Sequence, residues 1–112
     1  MDILTSFSLT DDVIDEVAAR VTREVIDDLY VASNDMGRLN IFFNLHYMYT
    51  RSRNVGKKEI AAHICFVISY YLFVLLTPPH SEEIALQYAN EAVDLDNRKK
   101  YTEWISFIKK GN

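Results

Sequence analysis

Cysteine, proline and glycine are all scarce in this 112-residue chain, and each shortage excludes a class of protein. Cys65 is the single cysteine, so an intrachain disulfide is excluded and nothing indicates an oxidising compartment. Three glycines cannot build a glycine-rich phosphate loop, and two prolines are too few for the many turns of an all-β chain. The sequence therefore favours a few helices joined by short connections.

The size of the chain limits its organisation. A content of 49% hydrophobic residues is enough for one core, while 112 residues leave no room for a second. The first residues lack the basic and apolar segments of a signal peptide. We therefore expect residues 1–112 to form a single domain in the cytoplasm.

Apolar residues recur at spacings of three and four, which predicts helices along most of the chain. A first helix is expected to run without interruption from a cap at Thr10 to Ala32. Ser33, Asn34 and Asp35 form a polar break with capping chemistry. An aromatic second helix follows at 39–49, and a basic connection at 51–56 leads to the third. Two further helices are predicted near the C-terminus, one capped by Ser81 and one beginning at Asp96 or Asn97 and ending with the cations Lys109 and Lys110 followed by Gly111.

The third segment runs from Lys57 to Leu76, and from Ile60 onwards it is apolar apart from His63 and Ser69. A helix of this composition is expected to be buried all round, and Pro78 and Pro79 end it. Its apolar part is only just long enough to span a membrane. We favour a core helix, because the apolar faces of the neighbouring helices need a hydrophobic partner. The predicted fold class is therefore all-α, a single compact bundle of about five helices around a buried central helix.

Reactive side chains do not form a recognisable site. His46, His63 and His80 lack further ligands at metal-binding spacing, and a contact of Glu59 with His63 on one helix face is the expected role of that pair. Cys65 lies in an apolar run and is expected to be a small core residue. We predict no catalytic, cofactor or metal site, and no enzyme activity.

Charge is strongly segregated along the chain. Residues 1–35 carry nine acids and two bases, residues 36–58 carry five bases and no acid, and residues 81–97 carry five acids and no base. Acidic runs are often solvated outer faces. However, seven tyrosines and one tryptophan are residue types enriched at interfaces. We therefore predict a surface that binds a basic protein, formed by Asp11, Asp12, Asp15, Glu16, Glu24, Asp27, Asp28, Tyr30, Glu82 and Glu83.

In size, charge and lack of a catalytic motif, the chain resembles the small acidic helical immunity proteins that bacteria encode beside polymorphic or contact-dependent growth-inhibition toxins. The resemblance implies a tight one-to-one complex with a cognate toxin domain, often a basic nuclease whose cleft is covered. From the residues themselves we predict no cofactor, no nucleic-acid ligand and no membrane contact.

Two other functions stay open at this point. A homo-oligomeric structural or regulatory protein would use the aromatic second helix as a dimer seam, so the sequence leaves monomer and dimer open. A nucleic-acid-binding module would use the basic residues of 38–58, although the acidic helices beside them would repel phosphate.

Overall fold

The computed structural model describes residues 17–18 and 20–111, which form helices and connections with no strand among them. This confirms the predicted all-α class, a compact bundle of five main helices. They are α1 (Arg23–Ala32), α2 (Asp35–Asn54), α3 (Lys58–Tyr70), α4 (Ser81–Leu95) and α5 (Lys99–Lys109), with a π-helical segment, Tyr71–Leu76, continuing α3.

The predicted first helix is interrupted. Val17, Ala18 and Arg20 are helical, but the chain leaves the helix at Val21 and Thr22 before α1 begins. Thr22 is the N-cap of α1, and its Oγ1 accepts a hydrogen bond from the backbone N–H of Val25 at 3.2 Å. A threonine side chain that bonds the backbone favours a helix start over a helix interior, which is why the expected continuous helix was wrong. The cap predicted at Thr10 lies outside the described residues.

Helix α2 begins where capping chemistry predicts. Oδ1 of Asn34 accepts from the N–H of Gly37 at 2.8 Å. The helix then runs to Asn54, so the predicted basic connection at 51–56 starts too early. Arg51 and Arg53 occupy the last turn, where cations favour the negative end of the helix dipole. Gly56 supplies the turn, with a φ of 81° that suits glycine.

Helix α3 is the centre of the bundle, as predicted. It packs against α2 and α4, and α5 packs against α4. Lys58 and Glu59, before the apolar stretch, are exposed. Within the stretch, Val74 of the π-helical segment is exposed, so the expectation of burial on all sides was wrong at Val74. Within the described part of the chain, Lys58–Leu76 is the one helical stretch long and apolar enough to cross a membrane, and more than half of it is buried inside the protein.

The connection from α3 to α4 confirms the stop at the two prolines. The N–H of Thr77 donates to the carbonyl of Leu72 at 3.1 Å, and both Thr77 and His80 have positive φ, 44° and 62°. Helix α4 starts at Ser81 with His80 in the cap position and no side-chain capping bond. The prediction that Ser81 caps this helix was therefore wrong.

Helix α5 starts later than predicted and ends as predicted. It begins at Lys99 rather than near Asp96, because Oδ2 of Asp96 accepts from Nε of Arg98 at 2.6 Å instead of capping a helix. At the other end, Gly111 has a φ of 69° and its N–H donates to the carbonyl of Ile108 at 2.9 Å. This is the cation-then-glycine ending that the sequence indicates.

A buried polar chain joins three helices. Nε1 of Trp104 on α5 donates to Oγ of Ser69 on α3 at 2.7 Å, and that hydroxyl donates to the carbonyl of Ala85 on α4 at 2.7 Å. All three residues are buried. The indole N–H and the serine hydroxyl thus satisfy each other inside the core, where an unpaired polar group is costly.

Candidate protein-binding surfaces

The predicted acidic surface is only partly within the described residues. Asp11, Asp12, Asp15 and Glu16 lie outside them. The other predicted residues divide into exposed carboxylates and side chains that hold the bundle together. The two groups are described separately below.

Two carboxylates of α1 form an exposed acidic face. Glu24 and Asp28 are four residues apart, on the same side of the helix, and both are exposed. Within the described part of the chain, neither is within ion-pair distance of an arginine, lysine or histidine. Val31 continues this side of α1 and is the most exposed large apolar residue described. We call Glu24 and Asp28 the acidic face.

Asp27 has a structural role rather than a surface role. Its Oδ1 accepts a hydrogen bond from the Tyr70 hydroxyl at 2.6 Å, and both side chains are partly buried. Burial, followed by the bond to Asp27, raises the pKa of Tyr70 to about 12. Asp27 therefore ties α1 to the end of α3, while its place in the partner-binding surface stays a prediction.

Tyr30 is likewise engaged inside the protein. The guanidinium of Arg38 lies 3.9 Å from the centroid of the Tyr30 ring, and Nε of Arg38 donates to the Tyr30 carbonyl at 3.0 Å. The ring also meets the edge of the Tyr71 ring, at a centroid distance of 6.0 Å. Tyr30 thus packs the α1–α2 corner and is not a free anchor for a partner.

The second acidic group lies at the start of α4. Glu82 and Glu83 are both exposed, and Nδ1 of His80 lies 3.5 Å from a carboxylate oxygen of Glu83. Helices α1 and α4 both contact the π-helical segment, so the two acidic groups flank it. Further along, Glu91 accepts from Tyr49 and lies 3.6 Å from Nε of Arg53, so this acid is neutralised internally.

Most tyrosines use their hydroxyls within the protein. The Tyr49 hydroxyl donates to Glu91, the Tyr71 hydroxyl donates to the carbonyl of Arg38 at 2.7 Å, and the Tyr88 hydroxyl bonds His46 at 2.8 Å. Burial and the bond to Glu91 raise the pKa of Tyr49 to about 12. These hydroxyls therefore hold the protein together, and the role of tyrosine in partner binding stays a prediction. Tyr47 differs from these tyrosines because it is exposed to solvent.

An exposed apolar row lies on α2, the aromatic helix that the sequence offered as a dimer seam without showing which side is exposed. Leu39, Phe43 and Tyr47, at intervals of four, are 47%, 62% and 44% exposed, and Met36 beside them is 59% exposed. The opposite side of the helix is buried. Because apolar residues surround α2 on both sides, its periodicity could not show which side faces the core. We call Leu39, Phe43 and Tyr47 the apolar row.

A groove of about 620 Å³ lies between the start of α1, α3 and α5. Its walls include the rings of Phe66 and Trp104. The Arg23 guanidinium and the Lys100 ammonium lie 5.5 and 5.7 Å from the centroid of Phe66. Carboxylates of α1 and α5 also line the groove, so its formal charges balance. This mixture does not favour an anionic ligand over a neutral one.

The histidine and cysteine side chains serve packing. Nε2 of His63 donates to the Val21 carbonyl at 2.6 Å, rather than contacting Glu59 as predicted. Burial lowers the pKa of His63, and burial also raises the pKa of the Cys65 thiol. Among the described residues, no group of three histidine, cysteine or acidic side chains could hold a metal ion.

Comparison with protein-family models, curated proteins and solved structures finds no match to this chain.

Proposed function

We propose that this chain is a stoichiometric protein-binding inhibitor, an immunity protein of the bacterial cytoplasm. It would neutralise a cognate basic toxin domain, of nuclease type, by covering the active site. The observation that carries the proposal is the acidic face. In the described part of the chain, Glu24 and Asp28 are exposed and lie outside ion-pair distance of the chain's own cations. A negative surface of this kind attracts a basic partner and repels an acidic one.

The mechanism is occlusion. Glu24 and Asp28 present two carboxylates one helical turn apart on one helix face, which suits arginine and lysine side chains that bind phosphate in a nuclease cleft. Val31, on the same face, offers an apolar contact beside the charges. Arginine–carboxylate pairs formed in a cleft from which water is expelled are stronger than the same pairs in solvent. Glu82 and Glu83 would extend the negative surface beyond the π-helical segment.

The test is a double charge reversal, Glu24→Lys with Asp28→Lys, titrated against the toxin domain encoded by the adjacent reading frame. We expect affinity to fall by about tenfold or more, chiefly through slower association at low salt. The matched control, Glu59→Lys with Asp94→Lys, makes the same change in net charge at exposed positions on α3 and α4. Unchanged affinity of the first variant refutes the acidic-face mechanism. Equal losses of affinity in both variants also refute it, because they show that the change in net charge alone weakens binding.

Two observations support placing nucleic-acid binding below protein binding. Arg38 is stacked on Tyr30, and Arg53 lies beside Glu91, so two of the five bases in residues 36–58 face the chain's own groups. Binding to duplex DNA that weakens steeply as salt rises would favour that alternative instead.

A further inference from the structure

We propose that four exposed apolar residues at the corner between α1 and α2 form the centre of the surface that binds the basic partner, with the acidic face at its edge. This inference rests on the proposed function, and it names the contacts that hold the complex together after charge has guided the encounter. The four residues are Val31, Met36, Leu39 and Phe43, and their exposed fractions are 79%, 59%, 47% and 62%. We call them the corner patch.

The corner patch is continuous with the acidic face. Val31 lies on the same side of α1 as Glu24 and Asp28, seven and three residues after them. The next residue, Ala32, is exposed and lines a hollow of about 310 Å³ together with Met36. This hollow therefore joins the exposed side of α1 to the exposed side of α2.

The apolar area at the corner is large for a single patch. On α2, Leu39 and Phe43 follow Met36 at spacings of three and four, so the three residues share one side of the helix. Together with Val31 they expose apolar surface on the order of 400 Å², given that large side chains offer about 150–250 Å² each. Soluble monomers rarely expose more contiguous apolar surface than this, and patches of this size mark contacts with other proteins.

Charge selects a basic protein as the occupant. Residues 24–50 carry four acids and a single arginine or lysine, Arg38, which is stacked on Tyr30. Asp28 and Asp35 stand on the two helices that form the corner, and within the described part of the chain neither lies within ion-pair distance of a cation. A second copy using the same surface would bring the same carboxylates to the corner, whereas a basic domain brings the opposite charge.

An interface of ordinary size includes both surfaces. About 800 Å² per partner corresponds to a disc roughly 32 Å across. A helix rises about 1.5 Å per residue, so Glu24 and Val31 are about 10 Å apart along α1, as are Met36 and Phe43 along α2. A partner centred on the corner therefore covers the acidic face and the corner patch together, which gives an apolar centre with a charged rim.

The two surfaces act on different rate constants. Exposed charges steer the encounter and set the rate of association, whereas desolvated apolar contacts at an interface centre set the rate of dissociation. We therefore expect Phe43→Ala to speed dissociation from the toxin domain about tenfold or more, while association changes less than about twofold. The charge reversal at Glu24 and Asp28 is expected to slow association instead.

Surface plasmon resonance measures both rate constants, with the toxin domain of the adjacent reading frame immobilised. Val31→Ala truncates an exposed valine within the corner patch, and Val55→Ala makes the same change at the far end of α2, where the valine is also exposed. We expect faster dissociation for Val31→Ala and no change for Val55→Ala. Circular dichroism verifies that these variants and Phe43→Ala fold.

Oxidation of methionine reports on the corner patch directly. Met36 is exposed, whereas Met48 in the same helix is fully buried, so peroxide should convert Met36 to its sulfoxide while Met48 resists. Bound toxin domain is expected to protect Met36, which mass spectrometry of peptide fragments measures. Oxidation of Met36 at the same rate with and without bound toxin domain places the patch outside the interface and overturns the inference.

Failure of this inference is distinguishable from failure of the proposed function. Absence of binding by the unchanged chain refutes the inhibitor proposal and this inference with it. Binding with unaltered dissociation in both Phe43→Ala and Val31→Ala refutes this inference alone. A chain that self-associates without the toxin domain, and that Phe43→Ala converts to a monomer in light scattering, shows that a second copy covers the patch and also refutes this inference alone.

Discussion

Replacing Ser69 by alanine should destabilise the fold far more than the same replacement at Ser52. Both serines are buried in helices, so each variant gains a similar helix propensity of about 0.5 kcal/mol. Their hydroxyls differ in partners. Ser69 accepts from Trp104 and donates to Ala85, whereas Oγ of Ser52 has no hydrogen-bond partner among the described residues. The comparison therefore isolates the buried polar chain.

The magnitude follows from the group left unpaired. In Ser69→Ala the buried indole N–H of Trp104 loses its acceptor, which costs about 1–3 kcal/mol, while the Ala85 carbonyl keeps its helical bond. We expect a net loss of about 2 kcal/mol in the free energy of unfolding, a fall in Tm of about 8 °C for a chain of this length. Ser52→Ala removes a buried hydroxyl that gains no bond, so we expect a stabilisation of up to about 1 kcal/mol.

Urea denaturation followed by circular dichroism measures both changes. The fluorescence of Trp104, the single tryptophan, reports on the site itself. In a Trp104→Phe background the donor is absent, and the cost of Ser69→Ala should shrink to about 1 kcal/mol. A loss below about 0.5 kcal/mol in Ser69→Ala, or an equal loss in Ser52→Ala, would refute the reasoning.

Two further predictions concern a partly buried histidine and a residue with positive φ. Burial lowers the folded-state pKa of His63, so the unfolded chain binds more protons below pH 6.5, and stability should fall as pH drops from 6.5 towards the lowered pKa. His63→Gln should flatten that dependence in urea titrations at several pH values, while His80→Gln, at an exposed position, should not. Thr77→Gly should stabilise the fold by about 1 kcal/mol because it relieves a left-handed β-branched residue. Thr50→Gly inside α2 should cost about 0.4 kcal/mol, the difference between glycine and threonine in helix propensity. Changes of the same sign in the two variants, measured by urea denaturation, would contradict this account.

Local chemistry made much of the fold predictable. The polar break at 33–35, the stop before Pro78 and the ending at Gly111 each depend on one to three residues and their immediate neighbours, and all three were correctly placed. The errors arose where two local signals compete. Thr22 lies in an apolar pattern that continues the helix, yet its hydroxyl can cap a new one, and only packing of the following helix decides. The end of α2 at Asn54 could have been predicted from Gly56, because this glycine is the first one after the helix and glycine commonly follows a helix end.

The candidate surfaces were less predictable because they depend on orientation. Asp27 and Asp28 are adjacent in sequence, but about 100° of helix rotation turns one towards Tyr70 and the other to solvent. A run of acids cannot reveal which member is engaged. The same holds for α2. Apolar residues lie on both sides of this helix, so the sequence pattern does not show which side is exposed.

Tyrosine content alone was a misleading guide to the interface, and the reason is chemical. A tyrosine can bury its ring and still satisfy its hydroxyl, as Tyr49, Tyr70 and Tyr71 do through bonds to groups 33 to 43 residues away in sequence. These rings hold helices together. Phe43 has no polar end to satisfy, so its exposure leaves apolar surface in water without any compensating bond. An exposed phenylalanine between leucine and tyrosine on one helix face is therefore the stronger reason to expect a protein partner there.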